Sequence, residues 1–291
     1  MTDASSPKPL TCRSLSRKKE RGEKIVALTA YDYATARLLD ATGSVDLLLV
    51  GDSLAMTVLG HRDTLSVTMD EMAHHVKAVT RGAQRAVVVA DMPFLSYGVD
   101  LAEGVRHAGR FIQECRAQAV KVEGASSPVV ALIERLVSLG VPVVGHLGFT
   151  PQFIHALGGP RAQGRSVEAA SRLREDAMRL QAAGAFALVL EMTPPPVARW
   201  IAARLTIPVI GIGSGAGCDG QILVIDDLLG RFPDFHPRFA RQYAPLGEMT
   251  QDAARRFAAD VAGGDFPDEQ VEAYPLTSQE AADLAALLAA E

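Results

Sequence analysis

The sequence predicts an α/β protein folded as a single (β/α)8 TIM-type barrel, and three observations carry the prediction. From residue 24 onward short apolar runs alternate with helical stretches, the pattern of βα units around a parallel sheet. Eight such runs occur without a long interrupting linker, which favours a closed barrel over an open doubly wound sheet. A chain of 291 residues accommodates a barrel of about 250 residues with no second domain required.

Strands are expected at 24–30, 46–51, 86–91, 119–124, 141–147, 186–192 and 207–212, with a weaker eighth at 221–225. The run D-L-L-L-V ahead of Gly51 is continuously apolar and bounded by glycine, which reads as a strand buried on both faces. Pro142 and Pro208 fall at strand starts, where a missing N–H costs no ladder bond. Helices are expected over 33–41, 69–82, 101–118, 128–140, 167–184 and 197–205. Several close on a glycine (Gly43, Gly82, Gly140, Gly184), the residue favoured just past a helix end. Residues 1–23 are expected to form a tail with a short surface helix, 24–245 the barrel, and 246–291 C-terminal helices. Of these last, one is expected over 252–262 and, after Gly263 and Gly264, another from Ser278, where S-Q-E suits a helix cap.

Hydrophobic residues make up 48% of the chain and charged ones 22%, enough apolar material for a sizeable core. A net charge of −5, a pI near 5.8 and only 5% aromatics argue against a nucleic-acid binder, which needs a basic face or a stacking platform. Cys12, Cys115 and Cys218 are odd in number and far apart, the usage of reduced cytoplasmic thiols. No apolar run is long enough to span a membrane, and the first ten residues lack the apolar segment of a signal peptide. Glu20 and Glu23 count against a transit peptide. A cytoplasmic protein acting on small molecules is the expectation.

In such a barrel the C-terminal ends of the strands form the active face. The polar groups expected there are Asp52 and Ser53, Asp91, Lys121 and Glu123, His146, Glu191, and G-I-G-S-G at 211–215. Asp52, Asp91 and Glu123 on neighbouring strands suit a hard cation, and few protein ligands fit Mg²⁺ better than a Ca²⁺ cage or zinc. A metal also explains how three carboxylates can lie close together. Lys121 and Glu123, two apart on a strand, point to one face. Glu191 follows F-A-L-V-L, an apolar setting that suits a general base. For any one strand-end carboxylate, a helix cap or a solvated loop residue is an equally good reading, so the coincidence of several carries the weight. The glycine-rich segment suits either a phosphate or a tight turn. His74 and His75 are adjacent in a helix and face different ways, so they do not form a metal pair. His61, His107, His155 and His236 are taken as ordinary, and the charges at 17–21 as a solvated face.

Taken together, L-T-A-Y-D-Y, V-G-D-S-L, V-A-D-M-P-F-L-S-Y, V-K-V-E-G, V-G-H-L-G-F-T-P-Q, L-V-L-E and P-V-I-G-I-G-S-G followed by C-D-G-Q-I-L-V resemble, in order, the ketopantoate hydroxymethyltransferase family. The resemblance runs from about Thr29 to Tyr243. It implies a (β/α)8 barrel assembled as a homodecamer. The implied reaction moves a hydroxymethyl group from methylene-tetrahydrofolate to 3-methyl-2-oxobutanoate, giving 2-dehydropantoate (ketopantoate) for pantothenate and coenzyme A biosynthesis. The resemblance makes Asp52, Asp91 and Glu123 the Mg²⁺ site, with Asp91 or Glu123 acting through water. Ser53 and Lys121 would hold the 2-keto acid, with Asp52, Asp91 and His146 around it, and Glu191 would remove the C3 proton to leave a Mg-stabilised enolate. Lys121 then stabilises the oxyanion, a lysine imine being its competing use.

The sequence departs from the family pattern at Pro160 and Ala162 in the loop 158–165, at Ser66, and in a tail from Ala273 onward. Another Mg-dependent 2-oxoacid carbon–carbon lyase or mutase on a related barrel is the alternative, and would bring a reactive cysteine or a different base. A non-catalytic barrel would have lost a metal ligand.

Overall fold

Eight parallel strands close into a barrel in sequence order. They are β1 (Ile25–Thr29), β2 (Leu47–Val50), β3 (Val87–Asp91), β4 (Ala119–Glu123), β5 (Val143–Gly148), β6 (Ala187–Glu191), β7 (Val209–Ile212) and β8 (Gly220–Leu223). This computed structural model describes residues 8–234 and 236–290; the expectations for residues 1–7, Phe235 and Glu291 lie outside them. Closure falls on the weakest strand in the sequence. β8 pairs Gly220 with Ile25 of β1 on one side and with Ile210 of β7 on the other. A Cβ on Gly220 would stand 2.5 Å from the Ile25 carbonyl oxygen, so glycine is what permits the two strands to meet.

Strand periodicity builds the interior. Alternate residues, among them Ala27, Leu47, Leu49, Val87, Val89, Ala119, Val144, Ala187, Val189, Ile210 and Ile222, form one buried apolar cluster. Continued to the strand ends, the same alternation turns Asp91, Lys121, Glu123, His146 and Glu191 inward.

Helices Tyr33–Ala41, Met69–Gly82, Leu101–Gln113, Ser127–Ser138, Val167–Ala182 and Pro195–Ala202 connect the strands. Asp32, Thr68, Asp100 and Ser166 cap four of them, each accepting a backbone N–H three residues on. The helix expected over 101–118 stops at Gln113, because Arg116 adopts a left-handed φ of +62° and turns the chain into β4. Gly82 is the last helical residue rather than a stop signal beyond it. Its Cβ would lie 2.6 Å from the Tyr33 carbonyl oxygen, so it serves close packing between two helices.

The helix near the N-terminus, Cys12–Glu20, corrects two expectations. Leu15 is fully buried and joins the barrel cluster, so this is no simple surface helix. Nor is the charge cluster at 17–21 merely solvated: Lys18 pairs with buried Asp46 at 2.6 Å, and Lys19 with Asp219 at 2.8 Å. Spacings of three and four place Leu15, Lys18 and Lys19 on one helical face. That face meets chain segments preceding the strands, Lys18 also reaching the Lys24 carbonyl and Cys12 the Gln118 carbonyl. The helix therefore closes the N-terminal end of the barrel.

The barrel unit runs to Leu228 and includes Pro237–Arg241; Leu229–His236 and Gln242–Glu291 form a second unit. In this second unit one helix spans Leu246–Gly263, beginning earlier than position 252, and another spans Ser278–Leu288. The cap of the latter is Thr277, in a reciprocal box with Glu280, rather than Ser278. Among the described residues no helix is long and apolar enough to cross a membrane.

Candidate active site

At the C-terminal end of the barrel a pocket of about 120 Å³ is lined by all seven residues singled out above: Asp52, Ser53, Asp91, Lys121, Glu123, His146 and Glu191. Each arrives by a local device. After β2, a Cβ at Gly51 would lie 2.8 Å from Ser53 Oγ, so glycine lets the chain fold back and bury Asp52. The Asp52 N–H then donates to Asp91 Oδ2 at 3.2 Å, joining the ends of β2 and β3. Beside Glu191 the chain is equally constrained. A Cβ on Gly148, whose φ is +91°, would stand 2.0 Å from the Glu191 carbonyl oxygen, and the Phe149 N–H donates to that oxygen.

Lys121 is the centre of the charge arrangement. Its Nζ lies 2.8 Å from Asp91 Oδ1, 3.9 Å from Glu123 Oε1 and 3.3 Å from His146 Nδ1. His146 stands between two carboxylates, with Nδ1 3.1 Å from Glu123 Oε1 and Nε2 3.3 Å from Glu191 Oε2. The Glu191 side chain is 15% exposed, more open than an apolar pocket for a base would suggest, because the strand ends there at the mouth of the barrel.

Burial governs the titration of this cluster. It pushes Asp52 up to about 6, helped by the Glu123 charge and opposed by Lys121 and Gln152. It pushes Glu123 up to about 7 against the pull of Lys121 and the Gln152 N–H, and raises Asp91 as well. Burial alone would depress Lys121, but Asp91, Glu123 and Asp52 outweigh it and hold the ammonium charged. Burial and the Lys121 charge both lower His146, so its imidazole is neutral at pH 7.

Three buried residues behind the pocket escaped the sequence reading. Gln152 donates to Asp52 Oδ2, Tyr97 donates to Gln152, and the Tyr31 hydroxyl lies 2.8 Å from Ser53 Oγ. All three stand inside motifs quoted above, which was the available signal; a neutral side chain beside a strand end gives no sign of where it points.

The remaining expectations sort plainly. In the glycine-rich segment Ser214 turns inward, donating to the Leu190 carbonyl and accepting the Thr193 N–H, while a Cβ on Gly213 would crowd Phe239 at 3.1 Å. The segment is a tight turn packed against its neighbours. His74 is exposed, whereas His75 Nδ1 lies 2.6 Å from the Tyr31 carbonyl. The loop 158–165 is tied beside Glu191 through the Gln163 N–H, which donates to the Met192 carbonyl. None of the three cysteines lines the pocket.

Known proteins share this fold. A 2,3-dimethylmalate lyase of the PEP mutase/isocitrate lyase superfamily matches with a TM-score of 0.57 at 18% identity, covering 96% of this chain and all of that one. A phosphonopyruvate hydrolase solved with oxalate and Mg²⁺ matches with a TM-score of 0.57 at 12% identity, covering 95% of each chain. At such identities the likeness speaks for the barrel alone. Sequence goes further. The 3-methyl-2-oxobutanoate hydroxymethyltransferase of Acetivibrio thermocellus is 51% identical over 260 residues, 89% of this chain and 91% of that protein. The enzyme of the same name from Nitratidesulfovibrio vulgaris is 50% identical over 266 residues, 91% of this chain and 86% of that protein. The family described as ketopantoate hydroxymethyltransferase matches residues 9–269, which takes in the whole barrel and stops short of the helix Ser278–Leu288. The chain belongs to the ketopantoate hydroxymethyltransferase family.

Proposed function

We propose that this protein transfers a hydroxymethyl group from methylene-tetrahydrofolate to 3-methyl-2-oxobutanoate, giving ketopantoate. The observation that carries the reading is a base and a cation in one pocket: Glu191 stands at the mouth, and buried, charged Lys121 lies within reach of the same space. Family membership supplies the substrate class.

The donor set fits Mg²⁺. Asp52, Asp91 and Glu123 face a single ammonium in a buried pocket, and the excess negative charge matches a divalent cation. Among the described residues no group of three or more His, Cys, Asp or Glu side chains is already drawn together as a metal site, so the support is the charge and placement of these carboxylates. Both Glu123 oxygens are engaged, Oε1 by His146 and Oε2 by the Gln152 N–H, whereas Asp52 uses only Oδ2. Asp91 is engaged likewise, Oδ1 by Lys121 and Oδ2 by the Asp52 N–H, so Asp52 would hold the ion directly, with Asp91 or Glu123 acting through water. When bound, Mg²⁺ supplies Lewis-acid polarisation to a chelating 2-keto acid.

The chain's own residues account for the rest. Ser53, backed by Tyr31, offers a hydroxyl to the substrate carboxylate. Val189, Ile212, Ile222 and Phe239 give the branched alkyl end an apolar wall. Glu191 takes the C3 proton, and Lys121 stands where the keto oxygen gains negative charge, an electrostatic role with no imine. His146 fills the space between Glu123 and Glu191; neutral, it has one N–H and can donate to only one of the two. A lyase with a cysteine acid has no support here: burial pushes Cys12 and Cys218 up to about 11, and neither reaches the pocket. A cytoplasmic homodecamer is part of the same reading, supported by the family alone and checked by native mass.

The test is proton exchange at C3. Incubated with 3-methyl-2-oxobutanoate and Mg²⁺ in deuterated water, the protein should exchange that hydrogen without folate, and form ketopantoate when methylene-tetrahydrofolate is added. Absence of Mg²⁺-dependent exchange overturns the reading.

A further inference from the structure

One amide is shared among three strand exits. Gln152, buried in the turn Pro151–Phe153 beyond β5, donates through Nε2 to Asp52 Oδ2 and to the Met92 carbonyl, both at 2.9 Å. Its backbone N–H donates to Glu123 Oε2 at 3.0 Å. Its Oε1 accepts the Tyr97 hydroxyl at 2.7 Å, and that hydroxyl in turn accepts the Glu123 N–H at 2.9 Å. Asp52, Met92 and Glu123 stand at the ends of β2, β3 and β4.

The network dictates which way the amide points. The Met92 carbonyl can only accept, so the NH₂ end must face it and Asp52. The Tyr97 oxygen already accepts from Glu123 and has one proton left to give, which goes to Oε1. Turned over, the amide would set its oxygen against two acceptors in a buried site, leaving both unsatisfied. Asp52 Oδ2 is thus held by a donor in fixed position, and among the described residues Oδ1 has no protein donor. Neither Gln152 nor Tyr97 lines the pocket, so both act through the carboxylates.

We propose that Gln152, locked by Tyr97, is a positioning residue that presets the Asp52 and Glu123 carboxylates for the divalent cation and the 2-keto acid. The inference rests on the functional reading above.

The experiment measures Mn²⁺ binding to the full chain by the loss of the free-ion electron paramagnetic resonance signal, alongside thermal unfolding of the same metal-free samples. Gln152→Glu keeps the shape but sets an oxygen against Asp52 Oδ2; Tyr97→Phe keeps Gln152 and removes its lock. Mn²⁺ affinity should fall roughly ten- to a hundred-fold in Gln152→Glu, and in the same direction but less in Tyr97→Phe, the range seen for outer-shell partners of metal ligands. The KM for the 2-keto acid in C3 exchange should rise in both. A merely structural role would lower the unfolding temperature and leave the affinity of the folded protein untouched. Folded variants that bind Mn²⁺ as the parent does overturn the inference, and if Gln152→Glu does not fold, parental affinity in Tyr97→Phe does so alone. If the parent protein takes up no Mn²⁺, the cation in the functional reading is wrong and this inference falls with it, a result distinct from equal binding by all three.

Discussion

The ammonium of Lys121 lies 2.8 Å from Asp91 Oδ1, with both side chains almost wholly out of water. A pair in that position is a poor source of net stability, since each ion has given up its hydration, but losing one partner is severe because the other is stranded. Lys121→Met should therefore destabilise the protein by about 3–5 kcal/mol at pH 8. The loss should be smaller at pH 5, where Asp91, already raised by burial, takes a proton instead of remaining as a lone charge. Urea unfolding at the two pH values checks both statements.

The cation should stabilise the fold more as pH rises. Asp52 and Glu123 are held above the ordinary carboxylate range, at about 6 and about 7. For a group raised in the folded state, the folded protein binds the extra proton, so its contribution to stability is lost as pH climbs through the folded value. Metal-free protein should accordingly lose stability between about pH 4 and pH 7 from these two groups. Mg²⁺ requires the ionised forms and removes that loss. The difference in melting temperature with and without Mg²⁺ should grow from pH 5 to pH 8, and a flat difference would count against these carboxylates as the cation site.

Glu191→Gln should remove C3 exchange while leaving the cation in place. Among the described residues Glu191 approaches the remainder of the cluster only at His146 Nε2, 3.3 Å away. An amide of the same shape cannot accept the proton, so the exchange rate should drop by about 10²-fold or more, with Mn²⁺ affinity near the parental value. Loss of Mn²⁺ binding would place Glu191 in the metal site instead.

Leu15→Ala separates stability from chemistry. Leu15 is fully buried at the end of the barrel remote from the pocket, and its truncation should cost about 2–5 kcal/mol. The exchange rate per folded molecule should remain unchanged, measured below the variant's unfolding transition. A large fall in that rate would mean that the two ends of the barrel are coupled.

The barrel and its charged residues were legible because strand alternation is a strong rule: once the runs before Asp91, Glu123 and Glu191 are strands, their inward ends follow. Four features resisted for physical reasons. The contacts of Gln152 and Tyr97 span 100 and 55 residues of chain, and neutral side chains announce no partner. Lys18 and Lys19 sat in a dense run of charge, where the spacing to Leu15 was the only sign of a buried face. The end of the helix at Gln113 depends on a left-handed Arg116, a conformation that residue type does not advertise. The division of the carboxylates, with both Glu123 oxygens occupied and only one of Asp52, comes from side-chain geometry that no spacing encodes.

Leu15 plugs one end of a barrel whose interior is already filled by side chains, and the pocket lies at the opposite end, where Glu191 stands. Under the reading proposed above, a 2-keto acid reaching the carboxylates would enter past Glu191, so the residue that takes the proton also lines the way in.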